Sequence, residues 1–533
     1  MSLYHYGVAK DQKKFLVLLI SFFSIVLGYL AFVTHWADTE LWAITLSGQL
    51  FSEAGDYSLM YKLFFNLLLK SLYIFDLSNL QTIHGARFIF WIVGLGVVWQ
   101  VYLLGLNVHK DKRKALFACF ILITSSFFLS RGFRVRSDLL ACFFQLMYLN
   151  TFIKYNFSKE NKWCFVGLIS VVCLLLSTPK SILFLFVILS FIIIFTLFSR
   201  KFDQSFKFLT ITLFPSVLIG FLTMIIKKDI VLSALRYFIN SFGENSSRPI
   251  YFSIKSFYFV FKFLEENPLI VLAMVIFVFS SLKIRKVKKK TPLEKALVIS
   301  FFFSLALVVL HNDRLPFYIN AMTILPVAIC AWGLSDILDK ISEVKKFNKI
   351  YVITLLVFLA KGGHYAERNA KNNNNNDQSS AILYLEDYMN RYEGITYYDG
   401  MGSMPRNNKF YHFITPTLGQ NIDNTLRIIG EEKPDMIFFS NRMFYHVKAI
   451  LELVKESSYV YLGNGIYGKY EPLKNLSGAN KVYKYQGSFF QKLTLVEGDF
   501  DENQKMKVHS RFSPIELPSK THFFEIFDFD PKF

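Results

Sequence analysis

Apolar runs close to the length of a membrane-crossing helix recur along this chain, and they constrain its fold more than any other feature. They cover residues 15–33, 85–106, 115–130, 138–155, 163–178, 181–199, 208–226, 268–283, 295–311, 316–335 and 349–362. A helix needs about 20 apolar residues to span the hydrocarbon core, and inside lipid its backbone must satisfy its own hydrogen bonds. The reading is an α-helical polytopic membrane protein with about eleven transmembrane helices. A soluble globular chain is excluded by 53% hydrophobic residues, 59 phenylalanines and a mean hydropathy of +0.35. Lys10, Lys13 and Lys14 precede the first run, as in a signal peptide. No small-residue cleavage site follows, however, and the run is too long for a signal-peptide core, so an uncleaved span is expected.

The formal charge of +19 invites a nucleic-acid partner, but its distribution argues against one. The cations cluster in alternate short loops: Lys110-Asp111-Lys112-Arg113-Lys114, residues 154–162, Arg200-Lys201, residues 283–290 and residues 340–349. The positive-inside rule puts these loops and the N-terminus in the cytoplasm. Residues 34–84, 131–138, 178–180, 227–267 and 312–315, and everything after about 363, then lie outside. Residues 57–78 are apolar enough to cross, but Lys62 and Lys70 interrupt them and a span here would invert every later loop. Two interfacial amphipathic helices on the outer face are expected over about 40–78.

The division follows as a membrane domain over 1–363 and an extracytoplasmic α/β domain over 364–533. The second opens after a polar run at 372–376. Its β-like runs are Ile395-Thr396-Tyr397-Tyr398-Asp399-Gly400 and Met436-Ile437-Phe438-Phe439-Ser440, with a hairpin over 459–470 and helical periodicity in 378–392 and 443–456. It holds no nucleotide-binding loop and no HExxH pattern. The five cysteines, Cys119, Cys142, Cys164, Cys173 and Cys330, fall inside apolar segments without metal-ligand spacing and read as small buried hydrophobes.

Chemistry-bearing residues collect in the outer loops. Asp38 and Glu40 lie in His35-Trp36-Ala37-Asp38-Thr39-Glu40, just past the first span. Asp138 ends Arg131-Gly132-Phe133-Arg134-Val135-Arg136-Ser137-Asp138, just before another. An acidic pair and arginines at one water–lipid boundary suit work on a lipid-linked phosphate. Competing readings are a solvated carboxylate for Asp38, a residue on the positive end of a helix dipole for Asp138, and cations reaching to lipid headgroups for the arginines and lysines.

These motifs resemble the GT-C superfamily of polytopic glycosyltransferases, specifically the dolichyl-phosphate-mannose mannosyltransferase and aminoarabinose transferase group. The match rests on Asp38-Thr39-Glu40 with amphipathic helices after it, Arg136-Ser137-Asp138 opening a span, and Ser177-Thr178-Pro179-Lys180 between spans. Arg314-Leu315-Pro316-Phe317-Tyr318, Pro326 and a soluble domain after the last span complete it, over about residues 10–360. The family's adjacent acidic pair is here split by Thr39.

The resemblance implies transfer of a sugar from a polyprenyl-phosphate donor to a hydroxyl of a lipid, glycan or protein acceptor, most simply with inversion. Asp38, Asp138 and Glu40 are then the catalytic candidates, with Asp38 as general base. Phosphate leaves without a protein acid, so cations should neutralise its oxygens. Lys62, Arg134, Arg136, Lys180, Arg248 and Arg314, with Tyr318, are the candidate ligands. No metal ligand set and no cofactor are expected, and the partners are the donor, the acceptor and membrane lipids, with no nucleic acid. Compact loops and the look of the family point to a bacterial inner membrane, with the site and C-terminal domain on the periplasmic side. The rival readings are a transporter or flippase of a lipid-linked sugar and a non-catalytic membrane scaffold.

Overall fold

A computed structural model describes residues 2–34, 36–48, 62–178, 181–226, 267, 291–300 and 348–372. Beyond these it describes scattered positions from 375 to 407, residues 426–438, and strands at 459–463, 466–469, 481–486 and 494–499. Eight of the eleven expected spans coincide with described helices: α1 (Ser2–Val33), α4 (Asn79–His109), α5 (Lys112–Thr124) with α6 (Ser126–Arg131), α7 (Ser137–Ser158), α8 (Asn161–Leu175), α9 (Ser181–Ser199), α10 (Phe202–Ile226) and α11 (Asn348–Asn372). The runs at 268–283 and 316–335, and most of 295–311, lie outside the described residues. Two shorter helices, α2 (Asp38–Gly48) and α3 (Leu63–Lys70), fall where amphipathic helices were expected. By length and composition, Lys13–Val33 and Asn79–His109 are the two helices among the described residues that could cross a membrane. The described stretch Leu63–Ile74 is about 18 Å long at 1.5 Å per residue, well short of the hydrocarbon core.

The expected span 115–130 is not one helix. Ser125 takes an extended conformation between α5 and α6, and its hydroxyl oxygen accepts the Phe128 N–H, capping the second helix. The adjacent Thr124 turns its hydroxyl back onto the Phe120 carbonyl. A hydroxyl run can thus end one helix and begin another while every polar group stays bonded.

The chain divides into two units. The first comprises Met1–Phe32, Asp56–Leu68 and Ala86–Asn373. Its helices pack through aromatic side chains, with Phe152 edge-on to Phe191, Phe195 and Phe208, and Phe120 against Phe23 and Phe358. Buried amides join α4 to α7, where Asn150 donates to Gln100 Oε1 (3.0 Å) and accepts from Asn107 (2.9 Å). Such contacts hold helices together where lipid supplies no hydrophobic drive between them.

One end of this unit is basic. Lys110 and Lys201, from different loops, flank the Phe157 ring at 4.6 and 5.2 Å. Lys154 lies over Trp163, Lys295 over Phe198, and His109 sits 3.9 Å from Glu294. The loops after α4, α7 and α9, and the helical segment at 291–300, therefore meet at one end. The 22 residues of α7 reach about 33 Å from it to the other end.

The second unit comprises Val33–Gly55, Leu69–Gly85 and Asn374–Phe533. Among the described residues its strands are β1 (Tyr397–Asp399), β2 (Met436–Phe438), β3 (Tyr459–Gly463), β4 (Ile466–Lys469), β5 (Lys481–Gln486) and β6 (Thr494–Asp499), arranged in the order β1-β2-β4-β3-β5-β6. β1 and β2 run parallel, β3 and β4 form the expected hairpin, and β5 and β6 form a second. Asp435 binds β2 to β1 by accepting from the backbone and hydroxyl of Thr396 at 2.9 and 2.7 Å. The helical periodicity at 443–456 lies outside the described residues.

Candidate active site

In the first unit the segment 131–138 is held by its own backbone and by α4. Gly132 closes α6 with its N–H on the Phe128 carbonyl (2.7 Å), and the Arg134 N–H returns to the Arg131 carbonyl (3.2 Å). α4 passes so close that a Cβ on Gly94 would fall 1.9 Å from the Gly132 oxygen, so only glycine fits there. Phe133 and Val135 are buried, which leaves the intervening Arg134 and the following Arg136 half-exposed. Arg134 donates through Nε to the Ser130 carbonyl (3.0 Å), fixing its guanidinium beside the end of α6. Arg136 caps the start of α7 with extended backbone, and its Nη2 lies 3.3 Å from Asp138 Oδ2. Asp138 occupies the first turn of α7, where a carboxylate suits the helix dipole. The dipole reading and a role in chemistry therefore remain compatible.

Two further segments share this end. The Phe64 N–H donates to the Leu176 carbonyl (3.0 Å), and the Phe64 ring meets Phe144 of α7 edge-on at 5.3 Å. Lys62, half-buried and two residues before Phe64, is thereby brought to the turn that follows α8. That turn leads through Ser177 and Thr178 to Lys180, which lies outside the described residues, as do Arg248, Arg314 and Tyr318. Asn267 is pinned on α6 by a reciprocal pair with Ser126, at 2.9 Å to the backbone N–H and 2.6 Å to the hydroxyl.

Asp38 and Glu40 belong to the second unit. Asp38 is the first residue of α2, and its side chain lies outside the described residues. Glu40 is 1% exposed, and its Oε2 accepts the Ala37 N–H at 2.8 Å. The Ala37 carbonyl in turn accepts from Leu41, so Glu40 is the third helical residue reaching back to the capping position. This is the acidic half of a capping box. It gives Glu40 a local structural task, which the spacing of Asp38 and Glu40 alone did not disclose.

Arg87 is a cation that the loop-based reading passed over. It lies within the second apolar run, is fully buried, and donates from Nη1 to the Ala31 carbonyl (3.1 Å). Ala31 is in the last turn of α1, whose carbonyls lack helical partners, and α1 has no basic residue in that turn. α4 thus supplies the missing cation, and the same guanidinium stacks over Phe133 at 5.3 Å. One side chain joins the end of α1 to the arginine segment. The available signal was a charge inside an apolar run, which is expensive in lipid and seldom idle.

Among the described residues, no three His, Cys, Asp or Glu side chains gather as a metal site. A helical bundle followed by a mixed-sheet domain, with charged loops at both helix ends, is a fold this chain shares with solved membrane-protein structures. No protein-family sequence profile and no curated protein matches the chain. Solved structures do. ArnT from Cupriavidus metallidurans in the apo state superposes with a TM-score of 0.58 at 11% identity, covering 87% of this chain and 99% of that one. The same protein bound to undecaprenyl phosphate gives 0.53 at 10% identity, over 82% and 94% of the two chains. The Archaeoglobus fulgidus oligosaccharyltransferase AglB, in complex with an inhibitory peptide and a dolichol-phosphate, gives 0.50 at 15% identity, over 85% and 74%. At these identities the likeness is one of fold.

Proposed function

We infer that this protein transfers a sugar from a polyprenyl-phosphate carrier to an acceptor hydroxyl. The observation that carries the reading is the gathering of the Arg134–Arg136 segment, the Lys62 segment and the turn before Lys180 at one end of a GT-C fold. Cations so arranged suit the phosphate of a lipid carrier, and two neighbours of this fold were solved with undecaprenyl phosphate and with a dolichol-phosphate. The acceptor oxygen attacks the anomeric carbon and the bond to the phosphate oxygen breaks. The electron pair departs with the polyprenyl phosphate, and the hydroxyl proton passes to Asp38. Displacement in one step inverts the anomeric configuration.

Lys62, Arg134, Arg136, Lys180, Arg248 and Arg314 are the proposed counter-charges, with Tyr318 donating a hydrogen bond to a phosphate oxygen and Asp138 orienting the acceptor. The reaction is proposed to need no metal, because the leaving phosphate is neutralised by side chains. The donor would be undecaprenyl- or dolichyl-linked, the acceptor a lipid, glycan or protein, and the site would face the periplasm of a bacterial inner membrane.

The test uses membranes that carry the host's own acceptors, supplied with undecaprenyl-phosphate hexoses and pentoses in turn. One donor should be consumed, with chelator present or absent. Asp38→Asn should lower that rate by about 10²- to 10⁴-fold, the usual worth of a general base, while the protein still folds. Unchanged transfer in this variant removes Asp38 as the base. A protein that only moves the lipid-linked sugar across the bilayer would consume no donor at all.

A further inference from the structure

α2 is held by the C-terminal domain at Thr45 and by Tyr73 and Lys70 at its later residues. The Thr45 hydroxyl donates to the Gly402 carbonyl at 2.8 Å. Gly402 has a φ of +82°, and a Cβ there would lie 2.5 Å from Thr45 Oγ1 and 3.2 Å from the Leu41 carbonyl, so only glycine lets the loop come this close to the helix. Asp399, 1% exposed at the end of β1, fixes that loop by accepting from the Gly402 N–H and from the Tyr397 hydroxyl (2.6 Å). A second grip comes through Tyr73, whose hydroxyl donates to the Ile44 carbonyl of α2 at 2.8 Å. Lys70 closes the far end of the helix on the Gly48 carbonyl.

Arg406 locks this assembly. Its backbone N–H donates to Asn79 Oδ1 (2.8 Å), its Nε to Thr82 Oγ1 (2.8 Å), and its Nη2 to the carbonyls of Phe75 (2.7 Å) and Leu72 (3.0 Å). The guanidinium lies over the Tyr73 ring at 5.1 Å. Asn79 is itself held by Glu386 (2.9 Å) and Asn407 (2.7 Å). Neutral acceptors on three residues, plus an aromatic face, require the planar fork of an arginine, which a lysine cannot reproduce.

We propose that the C-terminal domain positions the acidic helix α2 for transfer, with Arg406 and Thr45 as positioning residues of a clamp. The inference rests on the reading of Asp38 as the base, because α2 begins at that residue. A displacement of about 1 Å in a reacting group can lower a rate by about 100-fold, so a helix carrying the base needs restraint of this kind.

Arg406→Ala, Arg406→Lys and Thr45→Val are compared in the full-length protein in nanodiscs. Amide exchange is read over 41–48, transfer from the donor identified above is timed, and binding of undecaprenyl phosphate is measured. The expected result is faster exchange in α2 and a maximal rate about 10- to 100-fold lower. The donor KM and undecaprenyl phosphate affinity should stay within about twofold, since the clamp acts on position alone. Arg406→Lys should be as impaired as Arg406→Ala.

Wild-type exchange and rate in all three variants overturn the clamp. Rescue by lysine, with weakened undecaprenyl phosphate binding in the alanine variant, also overturns it and makes Arg406 a phosphate ligand. If the Arg406 variants do not fold, Thr45→Val decides, since it removes one hydroxyl and keeps the side-chain shape. Asp38→Asn separates the two ideas. It should lower transfer by about 10²- to 10⁴-fold with α2 exchange unchanged, and full activity there removes the base while the exchange and rate of the clamp variants still judge the clamp.

Discussion

Glu40 and Asp38 are two residues apart, yet Glu40 has a local structural task of its own. Both were legible as acids just past the first span, and their spacing invited a shared role in catalysis. The Oε2 contact to the Ala37 N–H shows what spacing alone could not, that the third residue of a helix faces back toward its own cap. This separates two substitutions. Glu40→Gln keeps an acceptor for the Ala37 N–H and should leave both stability and transfer near wild type. Glu40→Ala removes it and should lower stability by about 1 kcal/mol, as other lost caps do. Melting curves and donor consumption check both, and a large loss of transfer in Glu40→Gln at unchanged stability would return Glu40 to the chemistry. Arg87 teaches the converse lesson. Its charge was in plain view inside an apolar run, but its value lies in an orphan carbonyl on another helix, and no local pattern encodes that partner.

The helices themselves were largely legible because apolar length is a strong signal, and their ends were less so. Hydropathy runs straight through residues 115–130, since Thr124, Ser125 and Ser126 are a short hydroxyl run between strongly apolar neighbours, and their bonding to nearby carbonyls carries no hydropathy signal. The closeness of α4 to the arginine segment was hidden too, because Gly94 is one of several glycines and only the 1.9 Å approach to Gly132 distinguishes it. Gly94→Ala must therefore push α4 away from Gly132. A stability loss of about 1–3 kcal/mol or more is expected from such overpacking, with a lowered Tm and reduced transfer.

Helix ends at the basic face carry a different signature. Lys110, Lys159 and Arg200, which follow α4, α7 and α9, all have left-handed backbones with φ of 57°, 59° and 56°. Each closes its helix with an N–H to the carbonyl four residues back, at 3.0, 2.8 and 2.8 Å. Glycine is the usual residue for that position, and an L side chain there costs about 1–2 kcal/mol. A cation at a helix C-terminus recovers about 0.3–1 kcal/mol of this. Lys159→Gly should accordingly raise stability by about 0.5–1 kcal/mol in chemical denaturation, and a destabilised variant would refute the account. The chain holds basic residues where backbone geometry favours glycine, which makes sense if charge at those loops has a further use.

That use concerns the whole molecule. Charge alone assigns alternate loops to one side of the membrane. The described loops of that set do meet at one end of the helical unit, where Lys110 and Lys201 share the Phe157 ring and Lys201 also donates to the Asn156 carbonyl (2.8 Å). The opposite end gathers the arginine segment and the Lys62 segment, also as the alternation requires. What charge could not reveal is that the stretches around α2 and after α3 join the C-terminal domain in one unit, because that union depends on contacts over 300 residues apart, such as the Arg406 guanidinium on the Leu72 carbonyl. The geometry separates the two ends, and the positive-inside rule supplies the direction. A reporter active only in the periplasm should therefore give signal when fused after Asp377 and none when inserted within 283–290. The reverse pattern would put the arginine segment in the cytoplasm, away from the compartment proposed for the acceptor. Neutralising the basic loops one at a time should leave the orientation intact, because several loops vote together; neutralising those after α4, α7 and α9 at once should produce mixed orientation in the same reporter assay.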